Sequence, residues 1–276
     1  MYTLTLPHFH LPKIAESGQC FRLNALSSGA YSLVAGSQRL VLTQTGPATV
    51  RFACSREAFE EHWADYFDLG TDYGAFEGKI SSDDLFLQEA AEYGRGIRIL
   101  RQDPWEMLIT FILSQRKNIP AIKKAVENLC RCFGEKREEA GDVYYAFPTP
   151  GTLASQTSET LAGCSLGYRT PYVLSAAKMV AENEIQLKAL ASLSNEELHK
   201  TLLTIPGVGA KVANCILLFG YHRIDAFPID VWIQRVIDEE YGGIFPIEKY
   251  PGFAGVLQQY LFFYARSDVY RERNNL

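Results

Sequence analysis

The chain has 276 residues, 47% of them hydrophobic and 21% charged, with a net charge of −5. That is the composition of a soluble globular protein with one large or two ordinary domains. The acidic balance argues against a protein that coats nucleic acid non-specifically, and leaves room for a local basic face. No run approaches the ~20 apolar residues of a membrane span. The start, Met1-Tyr2-Thr3-Leu4-Thr5-Leu6-Pro7, lacks the basic and apolar regions of a signal peptide. A cytoplasmic, membrane-free monomer is therefore expected.

Residues 1 to about 80 read as β-rich. Tyr31 to Gly36, Gln38 to Gln44 and Ala48 to Ala53 are rich in strand formers, and Ser27-Ser28-Gly29, Gly36-Ser37 and Thr45-Gly46-Pro47 separate them. An antiparallel meander follows from that spacing. His8 and His10 alternate as on a strand, where a surface or edge role is expected.

From about residue 81 to 276 the pattern is helical. Asp103-Pro104-Trp105-Glu106 combines an N-cap, a proline at the first helical position and a capping-box glutamate. Met107 to Leu113 then form an almost wholly apolar helix, central to a core. Asn118 caps the next helix and Gly134 stops it. Residues 135–147, charged and then aromatic, read as a surface loop. Arg116, Lys117, Lys123, Lys124 and Arg131 form one basic cluster, and Arg266, Arg271 and Arg273 a second. Each reads equally as a solvated helix face. The six cysteines fit no zinc template and read as reduced thiols.

Ser194-Asn195-Glu196-Glu197 is a capping box that opens a helix. Ile205-Pro206-Gly207-Val208-Gly209 then reads as a tight turn into a second apolar-periodic helix that Gly220 closes, so a helix-hairpin-helix spans about 195–220. Such a turn exposes backbone N–H groups at a helix N-terminus, a ready site for an anion such as a DNA phosphate. Gly207 and Gly209 are its candidate DNA contacts. Lys211 begins that second helix, and Asp230 stands 19 residues on, in Phe227-Pro228-Ile229-Asp230-Val231. A lysine attacks only as the neutral amine, against an ordinary pKa of about 10.4. A helix N-terminus and burial both disfavour the ammonium. Cys215, four residues on, shares the lysine's face. Asp230 is also a natural N-cap for the helix after it. Taken alone, Lys211 reads as a phosphate contact or solvated helix residue and Asp230 as a cap.

The hairpin with its lysine and aspartate resembles the helix-hairpin-helix DNA glycosylases, in the branch whose lysine nucleophile makes the enzyme both glycosylase and lyase. Three further stretches are similar to one family, the 8-oxoguanine DNA glycosylase/AP lyases. They are Ser17-Gly18-Gln19-Cys20-Phe21-Arg22, Leu100-Arg101-Gln102-Asp103-Pro104 through Ser114, and Leu166-Gly167-Tyr168-Arg169. The resemblance implies an α+β fold: an N-terminal antiparallel β domain followed by helical domains containing a helix-hairpin-helix. It implies that Lys211 is the nucleophile and Asp230 its electrostatic partner. Gly18, Cys215, Gln258 and Phe262 are then lesion-pocket residues. The Gly18 carbonyl reads the N7 proton that 8-oxoguanine has and guanine lacks, Gln258 reads a base edge, and Phe262 stacks. Tyr168 matches a residue that wedges beside the opposite base and Arg169 a reader of the opposite cytosine.

The chain departs from the family after its central helix, where Ser114-Gln115-Arg116-Lys117-Asn118-Ile119-Pro120-Ala121 replaces an asparagine-rich run. Arg116 stands where the asparagine that fills the vacated base position is expected, with Asn118 close behind it, and Ala121 where a second cytosine-reading arginine is expected. Trp232 replaces a histidine. Looser opposite-base selectivity follows. No cysteine comes after Cys215, which excludes the superfamily branch with an iron–sulfur cluster beyond the aspartate. The expected activity is excision of 8-oxoguanine from duplex DNA through a Lys211 Schiff base, then β-elimination, with no cofactor or catalytic metal. The alternatives are a glycosylase for an alkylated purine and a non-catalytic hairpin DNA-binding module.

Overall fold

The computed structural model describes residues 1–139 and 141–273. Its contacts group into two compact units, interleaved along the sequence. Met1–Cys20, Thr43–Arg101 and His222–Leu276 form the first, and Phe21–Leu42 and Gln102–Tyr221 the second. The strands are β1 (Tyr2–Thr5), β2 (Leu23–Ala25), β3 (Tyr31–Ala35), β4 (Gln38–Gln44), β5 (Thr49–Phe52), β6 (Lys136–Glu139) and β7 (Asp142–Tyr145). The principal helices are α1 (Leu85–Gly94), α2 (Pro104–Ser114), α3 (Ile119–Phe133), α4 (Thr170–Ala181), α5 (Asn195–Leu203), α6 (Ala210–Gly220), α7 (Val231–Glu240) and α8 (Ala254–Ala265). The fold is α+β: N-terminal antiparallel strands precede a helical region with a helix-hairpin-helix at α5–α6. No helix among the described residues is long and apolar enough to cross a membrane.

In the first unit, β1 pairs antiparallel with β5, setting Leu4 opposite Val50 and Tyr2 opposite Phe52. Val50 and Phe52 are buried and Arg51 between them is exposed, the period of two expected of a half-buried strand. Phe52 meets Phe59 at 4.5 Å between ring centroids. Helix α1 lies against α8, and Gly94 packs directly on Tyr260. A Cβ there would stand 2.6 Å from Tyr260 Cδ1 and 3.1 Å from its Cα. Overpacking of this kind costs about 1–3 kcal/mol. His8 and His10 do not lie on a strand. His8 sits in a turn at φ 52° and meets Glu77 at 3.1 Å, and His10 caps the short helix Leu11–Glu16. The strand breaks because Pro7 denies it a ladder N–H.

Buried arginine fastens this unit's loops. The Arg98 guanidinium donates to the carbonyls of Phe67 (3.0 Å), His8 (3.2 Å) and Thr71 (2.7 Å), and lies 4.2 Å from the Tyr73 ring centroid. Asp68 beside it accepts from Thr71, Tyr73 and Arg101, and meets His222 at 3.2 Å. Burial raises the Asp68 pKa, but the bonds from His222, Tyr73 and Thr71 outweigh it and hold the carboxyl below its ordinary value.

In the second unit, Leu23, Leu33 and Leu40 face one another across β2, β3 and β4 as a buried row. Asp103 caps α2, and ten of the helix's eleven residues are buried. Phe111 of α2 stacks on Phe219 of α6 at 5.4 Å. Glu106 is not a capping-box residue. Its carboxyl is buried, meets the Gly36 N–H, and is pushed to a pKa of about 7, mainly by desolvation. Residues 135–147 are not a loop: β6 and β7 form an antiparallel hairpin, with Ala140 outside the described residues. Strand β6 is all charge and carries no alternation to reveal it. Its partner is fastened by Arg22 donating to the Tyr145 carbonyl, Arg39 to Asp142, and the Tyr144 hydroxyl to the Ser37 carbonyl.

Candidate active site

The hairpin is built locally. Ser194 and Glu197 close a capping box at α5, and Val208 N–H donates to the Ile205 carbonyl at 3.0 Å to form the turn. Ile205 and Val208 are buried and anchor it. Gly207 has φ +85°, and a Cβ there would lie 2.6 Å from Tyr172 Cγ, so only glycine fits on both counts. Gly209 is the N-cap of α6, and no side chain caps that helix. The N–H groups of its first turn therefore stand open to an anion.

Lys211 is the second residue of α6 and is half-buried. Its Nζ lies 5.4 Å from the Phe111 ring centroid. It has no hydrogen-bond or ion-pair partner among the described residues. Cys215, one turn along, is buried. The aromatic backing of the lysine is Phe111, with Phe219 stacked on it and Phe21 edge-on at 5.9 Å. This aromatic backing escaped sequence reading, because Phe21 and Phe111 lie about 100–190 residues before the lysine.

The same unit carries the other expected DNA-binding residues. Gln115, Arg116, Tyr168, Tyr172 and Gly207 to Gly209 line a broad concavity of about 520 Å³. Tyr168 is 52% exposed. Arg169 is buried instead: its Nε and Nη2 donate to the Gln115 carbonyl and its Nη1 to the Leu166 carbonyl at 3.2 Å. Asn118 caps α3 by accepting from Ala121 N–H. The first basic cluster is dispersed, since Lys117 donates to the Ser165 carbonyl and Lys123 to that of Leu23.

The remaining expected residues belong to the first unit. Asp230 is the N-cap of α7, and its Oδ1 accepts from Trp232 and Ile233 N–H at 3.0 and 2.9 Å. Gly18 holds φ +78°. Gln258 is buried and donates to the Pro228 carbonyl at 3.0 Å, two residues before Asp230. Gln259 donates to Gln258 Oε1 at 3.2 Å, and Gln19 contacts Gln259 Oε1 at 3.5 Å. Gln19 also donates to the Arg98 carbonyl and accepts from Leu100 N–H. Phe262, one turn beyond Gln258, carries the Arg266 guanidinium 4.9 Å from its ring centroid. The second basic cluster is otherwise spent on ion pairs, Arg271 with Asp268 and Arg273 with Glu89. Gln19 and Gln259 were not singled out from the sequence. The only signal was two adjacent glutamines in a helix otherwise apolar.

Two family models match consecutive stretches of the chain. One described as 8-oxoguanine DNA glycosylase, N-terminal domain, matches residues 1–108, and one described as HhH-GPD superfamily base excision DNA repair protein matches residues 109–243. The chain is 30% identical over 229 residues to a probable N-glycosylase/DNA lyase of Methanothermobacter thermautotrophicus, covering 72% of each chain. It is similar to the structure of MBOgg1 in complex with a low-affinity DNA ligand, with a TM-score of 0.90, 42% identity, and 95% of this chain and 93% of that one covered. It is also similar to the 8-oxoguanine glycosylase/lyase of Clostridium acetobutylicum, solved with dsDNA containing cytosine opposite 8-oxoG. There the TM-score is 0.88 and the identity 34%, covering 98% of this chain and 94% of that one. With hairpin, lysine and N-terminal strands all in place, the chain belongs to the N-glycosylase/DNA lyase family of helix-hairpin-helix base excision repair proteins with an 8-oxoguanine DNA glycosylase N-terminal domain.

Proposed function

We propose that this protein excises 8-oxoguanine from duplex DNA and nicks the resulting abasic strand. The observation that carries the reading is the state of Lys211: an unpaired amine at the start of an uncapped helix, directly after a phosphate-binding hairpin. The hairpin N–H groups and Gly207–Gly209 hold the DNA backbone, and Tyr168 wedges beside the opposite base once the damaged base has left the stack. The neutral Lys211 amine attacks the sugar carbon that bears the base. A C–N bond to the lysine forms as the N-glycosidic bond breaks, and the departing base takes the bonding electrons. Loss of a proton from the lysine nitrogen and opening of the sugar give the Schiff base. Removal of a proton from the neighbouring sugar carbon then expels the 3′ phosphate, which nicks the strand.

Asp230 stabilises the positive charge that develops on the sugar. Its cap bonds use Oδ1 and fix the carboxylate's direction, and Oδ2 remains for this task. Recognition of the oxidised base is assigned to Gly18, Gln258 and Phe262 of the first unit, and Cys215 of the second is assigned the same ligand. A site that reads the base through a hydrogen bond rejects the base lacking it, because a buried group is then left unpaired.

Borohydride trapping on duplexes carrying 8-oxoguanine, alkylated purines or no lesion tests the reading. A covalent adduct is expected with 8-oxoguanine. Adduct formation with alkylated purines alone would reassign the substrate, and binding with no adduct would leave a hairpin DNA-binding module.

A further inference from the structure

The end of α3 and the short 3-10 turn Ala162–Cys164, both in the second unit, bring two sulfurs together. Cys132 stands in the last turn of α3 and is exposed. Asn128 precedes it by one helical turn and shares its face. Cys164 is buried, and its Sγ lies 3.9 Å from the Asn128 carbonyl. The Cys164 sulfur is therefore set against the helix face that Cys132 occupies, and the two thiols share a hydrogen bond. Burial, with the Cys132 sulfur adding, pushes the Cys164 thiol up to about 12, so Cys164 is the partner that keeps its proton. Cys130 is buried as well, and burial pushes its thiol up against the pull of Arg22. One sulfur of the group thus faces solvent, and another stands directly behind it.

The turn is held for this approach. Cys164 N–H donates to the Leu161 carbonyl at 3.0 Å, and Leu161 and Leu166 are buried on either side. Lys117 donates to the Ser165 carbonyl at 2.6 Å. Ser165, at φ 61°, turns the chain toward the exposed Tyr168. Neither cysteine has a part in the chemistry of Lys211.

We propose that Cys132 and Cys164 are a peroxide-reactive dithiol that closes to an intramolecular disulfide. Access and thiolate character select the attacking sulfur. Cys132 has the access, and Cys164 holds its proton. The Cys132 thiolate attacks one peroxide oxygen: an S–O bond forms, the O–O bond breaks and hydroxide leaves. The Cys164 sulfur then attacks the sulfur of the Cys132 sulfenic acid. An S–S bond forms, the S–O bond breaks, and the departing hydroxide carries off the Cys164 proton as water. The pair loses two electrons, and the peroxide gains them to become water. A small dithiol reverses the step by exchange.

Closure joins residues 132 and 164 across the β6–β7 hairpin. A disulfide holds its sulfurs at about 2.0 Å, well inside the separation of two hydrogen-bonded thiols. The short turn is drawn toward the helix, and the chain leading to Tyr168 with it. A displacement of about 1 Å in a positioning segment costs up to on the order of 10²-fold in rate. The effect on rate rests on the glycosylase reading above, and the disulfide itself does not.

The test uses the full chain and hydrogen peroxide. Peptide mapping without reductant should give Cys132 linked to Cys164, and dithiothreitol should remove the link. Cys132→Ser should abolish it. Cys164→Ser should strand Cys132 as a sulfenic acid that dimedone labels, and Cys130→Ser should keep the link. The linked chain should melt roughly 5–10 °C above the reduced chain. It should also excise 8-oxoguanine several-fold more slowly, with dithiothreitol restoring both values and Cys132→Ser showing neither change. The proposal is overturned if peroxide leaves the wild-type chain unlinked, if the link runs from Cys130 to Cys164, or if Cys132 pairs only between two chains. It is also overturned if the linked chain melts or excises as the reduced chain does. A reduced wild type that excises nothing would instead refute the glycosylase reading and leave the mapping result standing.

Discussion

The hairpin face of the second unit and the glutamine cluster of the first handle polar groups in opposite ways. On the hairpin face the important donors are unspent: the Lys211 amine, the Arg116 guanidinium and the first-turn N–H groups of α6. Around Gln258 the polar side chains are buried and engaged, Gln19 with Arg98 and Leu100, Gln259 with Gln258, Gln258 with Pro228. Unspent donors at a surface cost little, because water satisfies them, and they remain free for a charged strand that comes and goes. Buried amides are stable only when paired, and pairing fixes them to within a bond's tolerance. The first arrangement suits grip and chemistry on a backbone. The second suits telling apart two bases of which only one carries a proton at N7.

The contrast can be broken most severely at Lys211. Lys211→Gln should abolish base release, nicking and borohydride trapping while leaving Tm and lesion binding near wild type, since the side chain makes no hydrogen bond or ion pair among the described residues and touches only the Phe111 ring face. Wild-type trapping by the variant would remove Lys211 from the chemistry. Asp230→Asn should slow base release by on the order of 10² to 10³. Asparagine still caps α7, so the melting curve should hardly move, and an unaltered single-turnover rate would reduce Asp230 to its cap.

On the engaged side, stability and recognition should fall together. Gln259→Leu removes a bond to Gln258 and should cost ~1–3 kcal/mol of unfolding free energy in a urea titration, with a matching loss of preference for 8-oxoguanine over guanine. Loss of stability with discrimination intact would separate the cluster from the pocket. Phe262→Ala should weaken lesion binding by ~1–3 kcal/mol through lost stacking; equal weakening on undamaged duplex would place Phe262 outside the pocket.

The smallest effect expected is a pH dependence away from both faces. Burial, with Asp103 adding, lifts the Glu106 pKa from 4.5 to about 7 against the pull of Arg22 and the Gly36 N–H. Between those pH values the folded chain keeps a proton that the unfolded chain has lost. Stability therefore falls as pH rises through that window, and the loss is complete above about 7. Glu106→Gln should raise Tm more at pH 8 than at pH 5. An equal change at both would mean that Glu106 ionises in the fold as freely as outside it.

What the sequence disclosed was whatever depends on near neighbours. The capping box at Ser194, the cap at Asn118, the glycine turn and the position of Lys211 are set within a few residues, and each was readable. So were the strands at 31–35 and 38–44, which are rich in strand formers and bounded by glycine-containing turns. The hairpin at 136–145 was not, because four charged residues in a row carry no period, and the arginines that fasten its second strand lie about 100 residues away. Arg169 was recognisable as an arginine in a motif, but its commitment to a carbonyl 54 residues earlier was not. Glu106 looked like a capping partner because its spacing from Asp103 is right, and only the surrounding core shows that it is buried.

The glutamine series also has a sense of direction, like words in a sentence. Gln19 points its amide nitrogen toward Gln259, Gln259 toward Gln258, and Gln258 toward the Pro228 carbonyl. Reversing any one amide would set nitrogen against nitrogen or oxygen against oxygen at the next, so the series has one orientation rather than eight. It is anchored at its start, where the Gln19 oxygen takes the Leu100 N–H. It is anchored again at its end, where the Pro228 carbonyl takes the Gln258 nitrogen and so fixes which end of Gln258 is nitrogen and which is oxygen. A glutamine on its own is ambiguous to a passing base, since it turns over at little cost. Here it is spelled one way only.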